Sequence, residues 1–173
     1  MGKRAKGKLS KRSHGELAEK KAYWKEQIQR LGRELFYVDT GAILECLNPK
    51  DELFNAFFDG VIGGQLVTSS YVIAETVRRL VKSKPNQFVG PGGIQQFELA
   101  VHFLHGWLEE RDVSVLYVPE EVFGTARSKF KFKGSIGCDL TDVISYLIVV
   151  GLEQNRIVSP DGHFQSLGLI RLP

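Results

Sequence analysis

The amino-acid sequence predicts an α/β domain with a mainly parallel central sheet and helices on both of its faces. Short apolar runs that read as strands alternate with longer segments of helical periodicity, as in sheets built with crossover helices. With 173 residues, 43% of them hydrophobic, the chain can bury one such core. No apolar stretch reaches the length of a membrane span, and no secretory signal follows the basic first residues. We therefore expect a cytoplasmic protein.

Charge divides the chain into a basic N-terminal extension and an acidic body. Residues 1–33 hold 11 Lys/Arg and 3 Asp/Glu, whereas residues 34–173 hold 12 Lys/Arg and 17 Asp/Glu. The first twelve residues offer almost nothing to bury and are predicted to form a disordered arm, followed by a candidate helix. A basic arm on an acidic body favours a polyanionic partner, and a tail that only aids solubility is the alternative.

The first half of the body reads as strand, helices, strand and helix. The run Leu35–Val38 is a strand that ends at Asp39, and "TGAILECL" is a loop leading into a helix. In "NPKDELFNAFFDGVIGG" apolar residues recur every four positions, which predicts a helix ended by the glycine pair. "QLVT" is the second strand, and "YVIAETVRRLVK" is a helix capped by Ser69 or Ser70.

The second half continues the alternation to the end of the chain. "IQQFELAVHFLHGWLEER" predicts a long amphipathic helix, and "VSVLYV" predicts the third strand. "PEEVFGTARSKF" is a helix with Pro119 in its first position and two glutamates in its first turn. "DLTDVISYLIVVGLEQ" is a helix, and "RIVSP" and "GLIRL" are the last strands. The carboxyl ends of parallel strands share one edge of the sheet, where sites form.

Isolated carboxylates fall at the ends of these elements, where a parallel sheet would gather them. Asp39 ends the first strand, Asp161 follows "RIVS", and Glu75 lies near the apolar face of the helix after "LVT". Asp139 and Asp142 open the helix before the strand of Asp161, and their spacing puts them on one helical face. Each acid alone has a local explanation, as a helix cap or as a turn residue.

The joint pattern of acids favours a divalent-metal site. Converging carboxylates raise one another's pKa, and a buried glutamate such as Glu75 is costly unless it is paired or metal-bound. Oxygen ligands indicate Mg²⁺ or Mn²⁺, and neither the two cysteines nor the four histidines show zinc-type spacing. A carboxylate cluster that holds one or two such ions suits hydrolysis of a phosphodiester.

Four segments of the chain resemble the PIN-domain nucleases, most of all the VapC-type toxin ribonucleases of bacterial and archaeal toxin–antitoxin pairs. They are "YVDTGAILECL", "LVTSSYVIAETVRRL", "DLTDVISYLIVVGL" and "IVSPDGHFQSLGL", in the family's order. The resemblance implies a three-layer α/β/α sandwich, Mg²⁺- or Mn²⁺-dependent endonucleolytic cleavage of RNA, an antitoxin or other protein partner, and a homodimer. The family's small toxins start almost directly at the first strand. The basic extension here therefore leaves a toxin and an RNA-processing nuclease both open.

The resemblance also implies which residues hold the metal and carry out the hydrolysis. These are Asp39, Glu75, Asp142 and Asp161, with Asp139 matching an extra acid found in some members. Direct metal contact is expected for Asp39 and Asp142, and contact through water for Glu75. Thr40, beside the first acid, and Ser159, two residues before the last acid, are the predicted supporting residues.

Basic residues close to the acids in sequence are candidate RNA contacts. "RSKFKFKG" alternates lysines with aromatic rings, as a strand with its lysines on one side would. The family pattern instead makes this segment the end of a helix and a loop. The candidate nucleic-acid-binding residues are Lys129, Lys131, Lys133, Arg78 and Arg79. They could guide phosphates past an acidic site, and a solvated charged surface is the alternative.

Other functions match the sequence less well. The main alternative is a noncatalytic PIN-like module that binds RNA or protein and uses its acids for structure. The presence of all four acids argues against it. A phosphatase of the haloacid dehalogenase type wants a second Asp two residues after Asp39, where this chain has Gly41. Neither G-x-G-x-x-G nor G-x-x-x-x-G-K-[ST] follows the first strand, which argues against a nucleotide-cofactor fold.

Overall fold

A computed structural model describes residues 34–47, 64–83, 95–133 and 137–172, all within the unit Arg33–Pro173. The side chains of residues 95–96 and 131–133 are outside this description. The predicted basic extension and the helix predicted in "NPKDELFNAFFDGVIGG" lie outside the described residues. Within the described ranges, no helix is long and apolar enough to cross a membrane.

Five strands form a parallel sheet in the described part of the chain. They are β1 (Leu35–Val38), β2 (Gln65–Ser69), β3 (Ser114–Leu116), β4 (Arg156–Val158) and β5 (Ile170–Leu172). Their order is β3-β2-β1-β4-β5, and every pairing is parallel. The chain thus builds outward from β1 to β3 and then crosses to the other side of β1. Ligands bind at the carboxyl edge of such sheets where the strand order reverses, which here is next to β1 and β4.

Six helices flank the sheet among the described residues. They are α1 (Thr40–Cys46), α2 (Ser70–Ser83), α3 (Gln95–Glu110), α4 (Glu120–Lys133), α5 (Leu140–Gly151) and α6 (His163–Ser166). The parallel sheet between helical layers confirms the predicted α/β/α sandwich.

The central strands are buried on both faces. Tyr37, Val38 and Val67 are at most 1% exposed, as expected for parallel strands covered by helices on both sides. The hydroxyl of Tyr37 donates to Ser69 Oγ at 2.9 Å and lies 3.1 Å from Ser145 Oγ. These contacts satisfy the buried phenol and join β1 to β2 and α5. Burial raises the pKa of Tyr37, which keeps the hydroxyl neutral.

Several element boundaries differ from the sequence predictions, and β3, β4 and β5 are shorter than the predicted runs. "TGAILECL" is helical from Thr40 onward, without a preceding loop, because Asp39 caps it directly. Helix α4 begins after Pro119, whose carbonyl accepts backbone N–H groups of the first turn. The same helix continues to Lys133, which excludes the strand interpretation of "RSKFKFKG" and agrees with a helix end. The short helix α6 was not predicted.

Candidate active site

Asp39 stands at the carboxyl end of β1, where the strand passes directly into α1. Its N–H donates to the carbonyl of Val158 in β4 (3.1 Å), and its Oδ2 accepts the N–H of Gly41 (3.3 Å). Ser159 Oγ donates to the same oxygen at 2.9 Å. Asp39 is 4% exposed. Burial, aided by repulsion from Glu75 and opposed by the hydrogen bonds, raises its pKa to about 6.

Helix α2 brings the buried carboxylate of Glu75 to the same edge of the sheet. The helix is capped by Ser69, whose Oγ accepts the N–H of Val72 (3.3 Å). Thr40 Oγ1 donates to Glu75 Oε2 (3.3 Å), and Arg79 Nη2 lies 2.5 Å from Oε1. Oε1 has no aligned hydrogen-bond donor among the described residues, so the contact with Arg79 is an ion pair only. Glu75 is 8% exposed, and its buried charge therefore depends on this neighbouring cation.

Asp139 and Asp142 cap each other at the start of α5. Asp139 Oδ1 accepts the N–H of Asp142 (2.9 Å), and Asp142 Oδ2 accepts the N–H of Asp139 (2.7 Å). This is a capping box, so both acids have the local role that their position predicts. Asp142 is half-buried. Burial, followed by repulsion from Asp139, Asp39 and Asp161, raises its pKa to about 7, although the Asp139 N–H lowers it.

Ser159 connects the turn after β4 to the end of β1. Its fully buried hydroxyl donates to Asp39 and accepts the N–H of Asp161 at 3.0 Å. Asp161 Oδ1 in turn accepts the N–H of His163 (2.9 Å), which closes a turn just before α6. One hydroxyl therefore fixes the relative position of the first and last predicted acids.

The four predicted acids line one open cavity of about 260 Å³ beside β1 and β4. Glycine at position 41 lets α1 approach the turn after β4, since a Cβ there would lie 2.8 Å from Pro160 Cγ. A fifth acid, Glu45, also lines the cavity. It lies in α1, the helix that Asp39 caps, and the sequence analysis did not identify it. The full lining is Asp39, Thr40, Gly41, Leu44, Glu45, Glu75, Arg79, Asp142, Pro160 and Asp161, without Asp139.

Comparison with known proteins identifies the fold. No protein-family model and no curated protein matches the chain. VapC20 of Mycobacterium tuberculosis, a sarcin-ricin loop cleaving toxin, matches with a TM-score of 0.60 and 17% identity, covering 78% of this chain and 96% of that one. FitAcB from Neisseria gonorrhoeae matches with a TM-score of 0.50 and 17% identity, covering 80% of this chain and 96% of that one. The fold is PIN-like. The resemblance stated from the sequence is thereby confirmed for the fold.

A second set of metal-ligand types lies at the border of the PIN-like site. Cys138, Asp142 and His163 each present a ligand atom, and these atoms lie within 4.8 Å of one another. No three of the four predicted acids come this close together. Sequence spacing had indicated no metal role for the cysteine and the histidine. The fold brings them together from the segment before α5 and from α6, a contact that no local spacing encodes.

The basic residues predicted to contact RNA lie on two helices of the PIN-like fold. Arg78 and Arg79 are exposed on α2, and Arg79 also lines the cavity. Lys129 is exposed on α4. The side chains of Lys131 and Lys133 lie outside the described residues. Of this group, Arg79 is the side chain that the structure places at the acids.

Proposed function

We propose that this PIN-like chain is a divalent-metal-dependent endoribonuclease that hydrolyses phosphodiester bonds of RNA. The observation that carries the proposal is the convergence of four carboxylates, from four separate segments, on one open cavity at the carboxyl edge of the sheet. The raised pKa values of Asp39 and Asp142 reflect buried and crowded negative charge. The likeness in fold to a toxin that cleaves the sarcin-ricin loop supports RNA as the substrate.

The donor set of the cavity fits Mg²⁺ or Mn²⁺. Its acids offer the hard oxygen ligands that these ions prefer. Mg²⁺ usually keeps several waters and is held through one or two carboxylates, which suits acids that line one cavity without close mutual contact. Asp39 and Asp142 would hold the ion directly, and Glu75 and Asp161 through water. The bound ion supplies positive charge that stabilises the phosphate and lowers the pKa of water.

The residues around the acids keep them in position for this chemistry. Ser159 and the Gly41 N–H orient Asp39 through Oδ2. The Thr40 hydroxyl orients Glu75 through Oε2. The side chain of Arg79 is 48% exposed and lines the cavity, so its guanidinium can contact a phosphate oxygen of the substrate as well as Glu75.

Replacement of Asp142 by Asn tests the proposal. Wild-type protein should cleave a long single-stranded RNA when Mg²⁺ or Mn²⁺ is added. Asp142→Asn should still bind the RNA but cleave it at least ~10²-fold more slowly, because loss of even an outer partner of a metal ligand lowers metal affinity or activity about 10–100-fold.

Asp112→Asn is the matched control. Asp112 precedes β3, at the opposite edge of the sheet, and has a φ of 50°, a conformation that Asn adopts readily. This variant should cleave like wild type. Cleavage by Asp142→Asn at the wild-type rate would reveal a contaminating nuclease and contradict the proposal.

The second candidate is a noncatalytic PIN-like module that binds RNA or protein. The local roles of Asp139 and Asp142 in a helix cap and of Asp161 in a turn favour it, since these acids would then be present for folding. The two functions separate in the same assay. If the chain is a noncatalytic module, wild type and Asp142→Asn should bind RNA equally well, and neither protein should cleave it.

Protein partners form the finer part of the proposal. Helix α3 buries Ala100 and Leu104, and it leaves four other apolar side chains between 43% and 52% exposed. They are Phe97, Leu99, Val101 and Phe103. Phe97 and Val101 lie on one side of the helix and Leu99 and Phe103 on another, since residues four apart share a face and residues two apart do not. Exposed apolar residues of this kind support contact with a homodimer mate or with an antitoxin. A toxin or an RNA-processing nuclease, and a cytoplasmic location, remain predictions from the sequence.

A further inference from the structure

A thiol, a carboxylate and an imidazole meet beside the acid cavity. Only the carboxylate, that of Asp142, has a role in the proposed reaction. Cys138 lies just before α5, Asp142 in its first turn, and His163 at the start of α6. Their thiol, carboxylate and imidazole ligand atoms are all within 4.8 Å of one another. The cysteine is 4% exposed and the histidine side chain is 40% exposed, so the group is accessible from one side.

The imidazole of His163 is held between the segment before α5 and an acid. A Cβ on Gly137 would lie 2.9 Å from Nε2, and the φ of +81° at this glycine lets the backbone pass so close to the ring. Nδ1 is shielded from solvent and lies 2.9 Å from Asp161 Oδ1, without an aligned hydrogen bond in the described part of the chain. A carboxylate at one ring nitrogen and a metal at the other is the usual setting of a metal-bound histidine.

The ligand types indicate which metal this group selects. Thiolate, imidazole and carboxylate are the ligands of Zn²⁺, whereas Mg²⁺ and Mn²⁺ prefer oxygen donors. Zinc–ligand bonds of about 2.0–2.3 Å place the ligand atoms of a tetrahedral site roughly 3.5 Å apart. Small side-chain rotations would bring atoms that already lie within 4.8 Å to this separation. Three protein ligands leave the fourth position to water.

We infer that Cys138, Asp142 and His163 form a Zn²⁺ site, and that zinc bound there withdraws Asp142 from the acid cavity. Asp142 lines that cavity and also belongs to the zinc group. Asp142 Oδ2 accepts the N–H of Asp139, which leaves one carboxylate oxygen for a metal, so Zn²⁺ acts as an inhibitor of Mg²⁺ or Mn²⁺ binding. The zinc site stands on its own geometry, and the inhibition rests on the proposed function.

Cobalt absorption tests the site without any nuclease assay. The full-length, reduced, metal-free protein is titrated with Co²⁺. Cobalt bound to a cysteine gives a thiolate charge-transfer absorption band. Zn²⁺ is then added to displace the bound cobalt. Wild type should show the band at one Co²⁺ per chain. Cys138→Ser should lose the band, and His163→Asn should weaken the affinity by at least ~10-fold. Cys46→Ser is the matched control, because it removes the chain's other cysteine and should leave the titration unchanged.

The variants distinguish failure of the zinc site from failure of the nuclease proposal. Asp39→Asn alters the acid cavity alone, so it should keep the cobalt band. The site is refuted if wild type shows no band, if Cys138→Ser keeps it, or if Asp39→Asn loses it. If Cys138→Ser fails to fold, the affinity of His163→Asn for Co²⁺ still tests the site. For the inhibition, Zn²⁺ should weaken Mn²⁺ binding to wild type at a lower Zn²⁺ concentration than in Cys138→Ser, where Zn²⁺ competes only at the acid cavity. Equal Mn²⁺ binding to wild type with and without Zn²⁺ would overturn that part.

Discussion

Asp39 is a buried acid whose charge is costly in the folded chain. Its folded-state pKa of about 6 lies above the ordinary value of 3.8, so the folded protein releases this proton less readily than the unfolded chain does. The free energy of unfolding therefore falls as the pH rises from about 4 to about 6, and it stays lower at higher pH. The same sign applies to Asp142, whose pKa of about 7 extends the fall to higher pH.

Asp39→Asn should stabilise the metal-free protein at neutral and alkaline pH. The amide oxygen can still accept the Ser159 hydroxyl while the buried charge is gone. We expect an increase of about 2–3 kcal/mol in the free energy of unfolding at pH 8, which shrinks towards pH 4. Urea denaturation at both pH values measures it, with Asp112→Asn as the control variant outside the acid cavity. A variant less stable than wild type at pH 8 would show that the carboxylate stabilises the fold.

Residues with a strong local pattern were found from the sequence, and residues joined only by the fold were not. Asp39 and Asp142 stand at a strand end and a helix start, which periodicity locates. Cys138 and His163 meet because the segment before α5 lies against His163 at the start of α6, and no spacing rule predicts that contact.

At the scale of elements, the start of α5 combines a structural cap with a site residue. Asp139 caps the helix through Oδ1 and does not line the cavity, whereas Asp142 does both. The geometry therefore gives the two acids of one cap different positions relative to the cavity. We propose that Asp139 positions the helix and that Asp142 contacts the metal.

Substitution of Asp139 by Ser and by Ala tests this assignment. Serine keeps a cap acceptor and removes the charge, so Asp139→Ser should retain Mn²⁺ binding and RNA cleavage. Asp139→Ala removes the cap and should lower the free energy of unfolding by about 1 kcal/mol. Thermal unfolding and Mn²⁺ titration measure the two effects. If Asp139→Ser folds normally but binds Mn²⁺ as poorly as Asp142→Asn, Asp139 is a metal ligand.

Element prediction was accurate where an element was long or strongly apolar. Leu35–Val38 has the predicted bounds, because four apolar residues end at a capping acid. Helix α6 was missed, since four residues are too few to show a period. Helix α4 continues through Lys133 because nothing in "SKFKFK" breaks a helix, although the alternation also fits a strand.

At the scale of the whole molecule, the alternation of elements predicted a parallel sheet but not its strand order. The crossing of the chain from β3 to β4 places the end of β4 beside the end of β1. That crossing brings Asp161 to Asp39 through the hydroxyl of Ser159. It depends on packing between distant segments, which periodicity does not report.

Removal of residues 1–12 should weaken RNA binding at low salt and leave the cleavage rate at saturating RNA unchanged. The segment holds six Lys/Arg residues, and each phosphate contact contributes about 0.7 to the slope of log affinity against log salt for single strands. We expect the slope to become shallower by up to about 4. Binding measured between low and physiological salt decides this, and an identical slope for both chains would exclude the arm as an RNA contact.

The central claim is that distant acids of this chain hold one divalent ion, and a Mn²⁺ titration of the metal-free protein at pH 8 tests it most directly. Wild type and Asp112→Asn should bind Mn²⁺ with the same affinity, and Asp39→Asn and Asp142→Asn should each bind at least ~10-fold more weakly. Cys138→Ser should bind like wild type, since Mn²⁺ prefers oxygen ligands. Equal binding by all five proteins, or no binding by wild type, would contradict the account.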